Sequence, residues 1–113
     1  MIVIKDYKLP SQNTINNMHW TKKAQLNTET KWLLKEALQD YDGLIGWDKP
    51  ITLEFKIYIK DKRKHDVDNC YVKNLIDGLV DNGIITDDDD RYVNRIVKEI
   101  IRSNEEKVEI RIK

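Results

Sequence analysis

The chain has 113 residues, 40% of them hydrophobic and 35% charged, and its 20 basic and 20 acidic side chains cancel to a formal net charge of +0. That length suits one domain with a single modest core, expected over residues 1–113. A zero balance says nothing for or against a nucleic-acid partner; such binding would need the charge sorted into a basic face and an acidic pocket. Cys70 is the one cysteine. An intrachain disulfide is therefore excluded, which fits a reducing, cytoplasmic setting, and the thiol is read as a small packing residue. No apolar run is long enough to span a bilayer, and no leader pattern opens the chain.

In chain order, Met1 to Leu9 starts apolar and then alternates through Ile2, Ile4 and Tyr7, the pattern of a strand. Pro10-Ser11-Gln12-Asn13 stops it. Residues 13 to 26 show no clear period and are rich in Asn, Thr and Lys. A long polar loop carrying Met18, His19 and Trp20 is expected there, a length often found in functional loops. A helix is expected from Thr28 to Tyr41: Asn27 or Thr28 can cap it, and Trp32, Leu33, Ala37 and Leu38 recur at helical spacing. Gly43, Gly46 and Pro50 punctuate the way out.

Ile51 to Lys60 is the clearest strand. Ile51, Leu53, Phe55, Ile57 and Ile59 alternate with polar residues and Tyr58, so one face is buried. The strand runs into the basic turn Lys60 to His65. Asn69 to Asp81 places Val72, Leu75, Ile76 and Leu79 at helical spacing, and Gly83 just beyond is a common helix stop. Tyr92 to Arg102 fits a helical template through Val93, Ile96, Val97, Ile100 and Ile101. Its β-branched composition, and a turn at 103–106 that suits a hairpin into Lys107–Ile112, favour a strand instead.

Asp66 and Asp68 can act on one metal only from an extended segment. Residues two apart lie on one side of a strand but point about 200° apart on a helix. The helix must therefore begin after Asp68, with Asp68 or Asn69 as its cap. Asn69, Lys73 and Asp77 would then form one polar stripe. Lys73 is placed either to pair with Asp77 or to turn toward the acidic segment and meet a phosphate. Carboxylates holding Mg²⁺, a lysine and a free helix N-terminus together suit phosphodiester hydrolysis. Each piece has a plainer reading: a D-x-D pair, or the run Asp87-Asp88-Asp89-Asp90, is more often a solvated surface. An EF-hand is excluded because Arg91 and Tyr92 stand where that loop needs a ligand and a glycine. His19, His65 and Cys70 lack a fourth partner and the spacing for zinc. No Walker-type or G-x-G-x-x-G loop is present.

The stretch D-V-D-N-(three)-K-(three)-D-G-L-(three)-G-(three)-D-D, from Asp66 to Asp88, resembles the signature of RusA-type Holliday junction resolvases. The basic lead-in Lys62-Arg63-Lys64, the segment Leu9 to Asn13, Val97-Lys98 and the closing K-V-E-I-R-I strand are similar too, so the likeness spans essentially the whole chain. It implies a homodimeric, Mg²⁺-dependent endonuclease, with Mn²⁺ as a possible substitute, that nicks four-way DNA junctions symmetrically. The fold implied is a small α+β one, a mainly antiparallel sheet of about four strands with two main helices in the order β-α-β-α-β-β. The family's essential carboxylates fall on Asp66, Asp68 and Asp88, with Asp87 the neighbouring candidate, and its catalytic lysine falls on Lys73. One departure stands out: three residues separate Asn69 from Lys73 where the family pattern has two. An extra residue turns a helical side chain by about 100°, so the helix either starts one residue later or absorbs a bulge.

On this reading Lys60, Lys62, Arg63 and Lys64, with Lys22 and Lys23, hold phosphates without reading sequence. Trp20 or Tyr71 is suited to stack at a branch point, although simple packing is the plainer role for Trp20. The alternative is a branched-DNA-binding protein of the same fold that lost catalysis through the shifted lysine.

Overall fold

The computed structural model describes residues 1–113. Its strands are β1 (Ile2–Lys5), β2 (Ile51–Ile59), β3 (Val93–Arg102) and β4 (Lys107–Ile112), and its helices are α1 (Gln12–Asn16), α2 (Trp20–Ala37) and α3 (Lys73–Asp81). The strands form one sheet in the order β1-β4-β2-β3. β4 runs antiparallel to both β1 and β2, whereas β2 and β3 are parallel. The class is α+β, as expected. The parallel pair follows from connectivity: parallel neighbours need a long crossover, and α3 lies within it.

β2 is central because its alternation is complete. Ile51, Leu53, Phe55, Ile57 and Ile59 are all buried on one face, and Thr52, Glu54, Lys56 and Tyr58 are half-covered on the other. Ile2, Ile4, Val108 and Ile110 extend that apolar face across β1 and β4. Leu34 of α2 and Leu75, Ile76 and Leu79 of α3 complete the core. Burying a side chain of this size contributes about 1.5–3 kcal/mol. α2 and α3 approach closely at Gly78, where an added Cβ would overlap the Leu34 side chain.

α3 stops as the glycine signal implied. Gly83 has φ +75 and donates to Val80 O at 3.0 Å, while Ile84 N–H reaches Leu79 O at 2.9 Å. This doubly bonded helix end needs a left-handed residue at Gly83. Asp6, with φ 51, likewise ends β1 four residues short of the expected Leu9.

The structure corrects three expectations. Residues 13–26 are not a polar loop: α1 and the first turns of α2 occupy them. Ser11 caps α1 by accepting the Thr14 N–H at 3.1 Å, and the His19 ring caps α2 by accepting the Thr21 N–H at 3.2 Å. No apolar period marks this stretch because Ile15 is its one buried residue, and the buried positions of α2, Thr30 and Leu34, come later. Thr30 tolerates burial because its hydroxyl donates to Leu26 O at 2.8 Å. Trp32, expected on the apolar face, points outward under the Lys35 ammonium.

The second correction concerns α3, which starts at Lys73 and not at Asn69. Its N-cap is Val72, with no side-chain cap, so neither Asp68 nor Asn69 caps it. Residues 67–69 form a separate 3-10 turn, and Asn69 therefore leaves the Lys73–Asp77 stripe. Cys70 is extended, and the segment pairs with the first loop: Tyr71 N–H donates to Pro10 O at 3.0 Å, and Ser11 bridges Cys70.

Third, residues 103–106 reverse the chain without closing a hairpin. They carry it over the end of β2, where Ser103 N–H donates to Ile59 O at 3.0 Å, and β2 lies between β3 and β4. Turn residues fix a reversal but not the partner strand. The strand expected over Tyr92 to Arg102 is present as β3, and its helical period has a strand explanation. Ile96 and Ile100 align with the buried face of β2, and Val97 and Ile101 lie on the other side. Apolar pairs on both faces of an edge strand reproduce the i, i+4 pattern.

Candidate active site

One open cleft of about 850 Å³ lies along the helical side of β3, beyond the reach of α3. Val93, Ile96 and Lys98 of β3 form its floor. Val72, Lys73 and Ile76 at the start of α3 form one wall, and Asp66, Val67, Asp68, Cys70 and Tyr71 form another, joined by Asp88 and by Gln12 of α1. Positions twenty residues apart meet here because α3 carries the chain away from the D-x-D turn and the following loop brings it back.

Asp66 and Asp68 both face the cleft and are exposed. Neither enters an ion pair with any basic residue. Their segment is held by its backbone. Asp66 O accepts the Asn69 N–H at 3.1 Å and the Cys70 thiol at 3.6 Å, and Asn69 Oδ1 accepts the Asn13 N–H at 3.3 Å.

Hydrogen bonds sort the four consecutive Asp residues. Asp89 is taken by Arg91, whose Nε and Nη2 donate to it at 3.0 and 2.8 Å, and this bond holds its carboxyl below the usual range. Asp89 O also accepts the N–H groups of Tyr92 and Val93, which starts β3. Asp87 accepts the Asp88 N–H and lines a separate hollow between α2 and α3, with Asn27, Lys31 and Asp77. Asp88 alone of the four lines the main cleft.

Lys73 stands at the first position of α3, with its ammonium 3.3 Å from Asp77 and 3.7 Å from Asp88. The Asp77 charge chiefly pushes its pKa up, so it is a cation at any physiological pH. Of the two placements considered for it, the pairing with Asp77 is present, and its second contact is with Asp88, not with Asp66 or Asp68. It lies beside an uncapped helix start, a natural position for an anion. Burial pushes the Cys70 thiol up, as befits a packing residue.

The basic turn is anchored by Asp61. Its Oδ1 accepts the Arg63 N–H at 2.9 Å and meets His65 Nε2 at 2.8 Å, and the His65 bond is the main cause holding its carboxyl below the usual range. Lys62, Arg63 and Lys64 are exposed around it. Lys64 borders a small hollow behind the D-x-D turn, shared with His65 and Asp66, whereas Lys60 faces a different one. Lys22 and Lys23 do not line the cleft. Tyr71 does, and Trp20 is 72% exposed at the start of α2, which removes the packing role expected for it.

The family model for endodeoxyribonuclease RusA matches residues 8–113. The chain belongs to the RusA family. No curated protein sequence matches it significantly. Membership gives the chain a Holliday junction nuclease role and a branched-DNA substrate. The RusA match also gives a frame for residues that the D-x-D signature did not single out. Lys98 and Gln12 share the cleft with the carboxylates. Both lie in segments that carry the sequence likeness, Val97-Lys98 and Leu9 to Asn13, where neither had been given a role. No helix is long and apolar enough to cross a membrane.

Proposed function

We propose that this RusA-family chain is a divalent-cation-dependent endonuclease that resolves four-way DNA junctions by paired symmetric nicks, working as a homodimer. The observation that carries the reading is the shared cleft of Asp66, Asp68, Asp88 and Lys73. Two of those carboxylates have no cationic partner in the chain, and such groups attract a metal.

The donors suit Mg²⁺, with Mn²⁺ able to replace it. They are hard oxygens in an open cleft. No three acidic, thiol or imidazole side chains converge to enclose an ion. That fits an ion held by one or two carboxylates that keeps most of its waters. Asp66 or Asp68, together with Asp88, would hold it, with Asp87 set back in the neighbouring hollow. When bound, the ion supplies a water nucleophile at neutral pH and offsets charge on the phosphoryl oxygens.

The chain's own residues do the rest. Lys73 and the start of α3 present positive charge where the scissile phosphate would sit, stabilising the extra negative charge of the transition state. Lys60, Lys62, Arg63 and Lys64 precede the D-x-D segment and would hold the backbone of a junction arm. In a two-fold dimer the two clefts would address opposed strands of a two-fold junction.

The test is a synthetic four-way junction incubated with the protein, with and without Mg²⁺. Paired nicks that require the ion support the reading. Tight junction binding without nicks in either Mg²⁺ or Mn²⁺ would replace it with a binding protein of the same fold.

A further inference from the structure

The core-side face of β3 carries two cations where apolar residues are expected. Lys98 is in register with Phe55, which is 1% exposed, and Arg102 is in register with Ile59, which is 8% exposed. A charge on the core side of a strand needs a partner. Neither residue takes a cleft carboxylate. Lys98 Nζ donates to Cys70 O at 2.9 Å. Arg102 Nη1 donates to Asp61 O at 2.9 Å, and its Nη2 donates to Arg63 O at 2.7 Å.

These three carbonyls bracket the D-x-D turn. Asp61 and Arg63 precede Asp66, and Cys70 follows Asp68. The intervening segment has one 3-10 turn and no strand partner on this side. Without the two cations its only ties would be Asp61 and the first loop.

We infer that Lys98 and Arg102 are positioning residues that clamp the D-x-D segment to the edge of β3 by its backbone. Bonding to carbonyls is what makes the clamp useful. It fixes where Asp66 and Asp68 stand while leaving both carboxylates free. A lysine or arginine reaching the side chains directly would neutralise them. Lys98 also lines the cleft. The same strand begins at the Asp89 turn, so the clamp ties Asp66 and Asp68 to the element that sets the position of Asp88.

The inference rests on the nuclease reading only for its catalytic consequence, and the experiment separates the two. Lys98→Met keeps the aliphatic stem and removes the donor. Amide exchange over residues 66–72 of the full-length protein is expected to speed up by about 10-fold, with α2 and α3 unchanged. Junction cleavage is expected to lose about 10–100-fold in kcat, the usual cost of losing a group that orients a ligand, while KM moves by about 2-fold at most. Lys98→Arg restores much of both. Arg102→Gln, at an exposed site, loosens residues 61–65 instead. Wild-type exchange over 61–72 in both Met and Gln variants would overturn the clamp. So would exchange that rises uniformly across the whole chain in both, since that marks a general stabilising role. If the wild-type protein cuts no junction, the nuclease reading falls and the exchange result still decides the clamp.

Discussion

Asp61 and Asp66 lie five positions apart and show what a carboxylate can be used for. Asp61 is surrounded: a backbone N–H, an imidazole and the side chains of Lys8, Arg63 and Arg102 lie within 4.0 Å of it. Its side chain is only 26% exposed. Asp66, with Asp68 beside it, is exposed and pairs with no cation. The first is spent on holding a loop. The second pair is held by the loop and kept open toward a cleft. Charge that serves folding is compensated within the chain; charge that serves binding is left for the ligand to compensate.

The largest expected effect breaks the open side of that comparison. Asp68→Asn should abolish detectable junction cleavage while leaving junction affinity within about 3-fold, since removing a ligand costs more than the 10–100-fold typical of a group that only orients one. Its melting temperature should stay level or rise, because a repelling charge is removed and no bond is lost. Retained ion-dependent nicking in Asp68→Asn would end its proposed role.

The paired side gives the converse. Asp61→Asn should lower the melting temperature by several degrees and slow cleavage only through disorder of the turn. The pH dependence has a defined sign. The folded pKa of Asp61 lies below its ordinary value of 3.8. Its stabilisation is therefore complete above 3.8 and is lost as the pH falls through the lowered folded value. Melting curves of wild type and Asp61→Asn should converge as the pH drops below that value; a gap that stays constant would mean the carboxylate is not the source.

The smallest effect concerns the exposed cations of the same turn. Lys62→Ala should weaken junction binding uniformly across sequences and reduce the slope of log K against log salt by about 1, the signature of one phosphate contact. Loss of binding to one junction sequence alone would point to base reading instead.

The part of this arrangement that could be read from the sequence was the part governed by local periodicity. β2 and β4 alternate cleanly, and α3 has a stripe closed by Gly83. Asp66, Asp68 and Asp88 were put together by the family resemblance and not by periodicity, and all three line one cleft. The early turns of α2 were hidden, since none of residues 20–27 is buried: Lys23 and Leu26 are half-covered and Trp20 faces outward. The hairpin was misread because a turn does not reveal that β2 will intervene. Choosing Asp88 over Asp87 and Asp89 depends on which one Arg91 and the backbone consume, a tertiary matter. Lys98 looked like an ordinary strand residue until its register put it on the core side, across from Phe55.

Crystals grown with Mn²⁺ and measured at its absorption edge give the most direct test, because they locate the cation independently of any cleavage assay. The account predicts an anomalous peak within coordination distance of carboxylate oxygens from Asp66 or Asp68 together with Asp88. A peak confined to the hollow of Asp77 and Asp87 between α2 and α3, or none in the cleft at saturating ion, would contradict it.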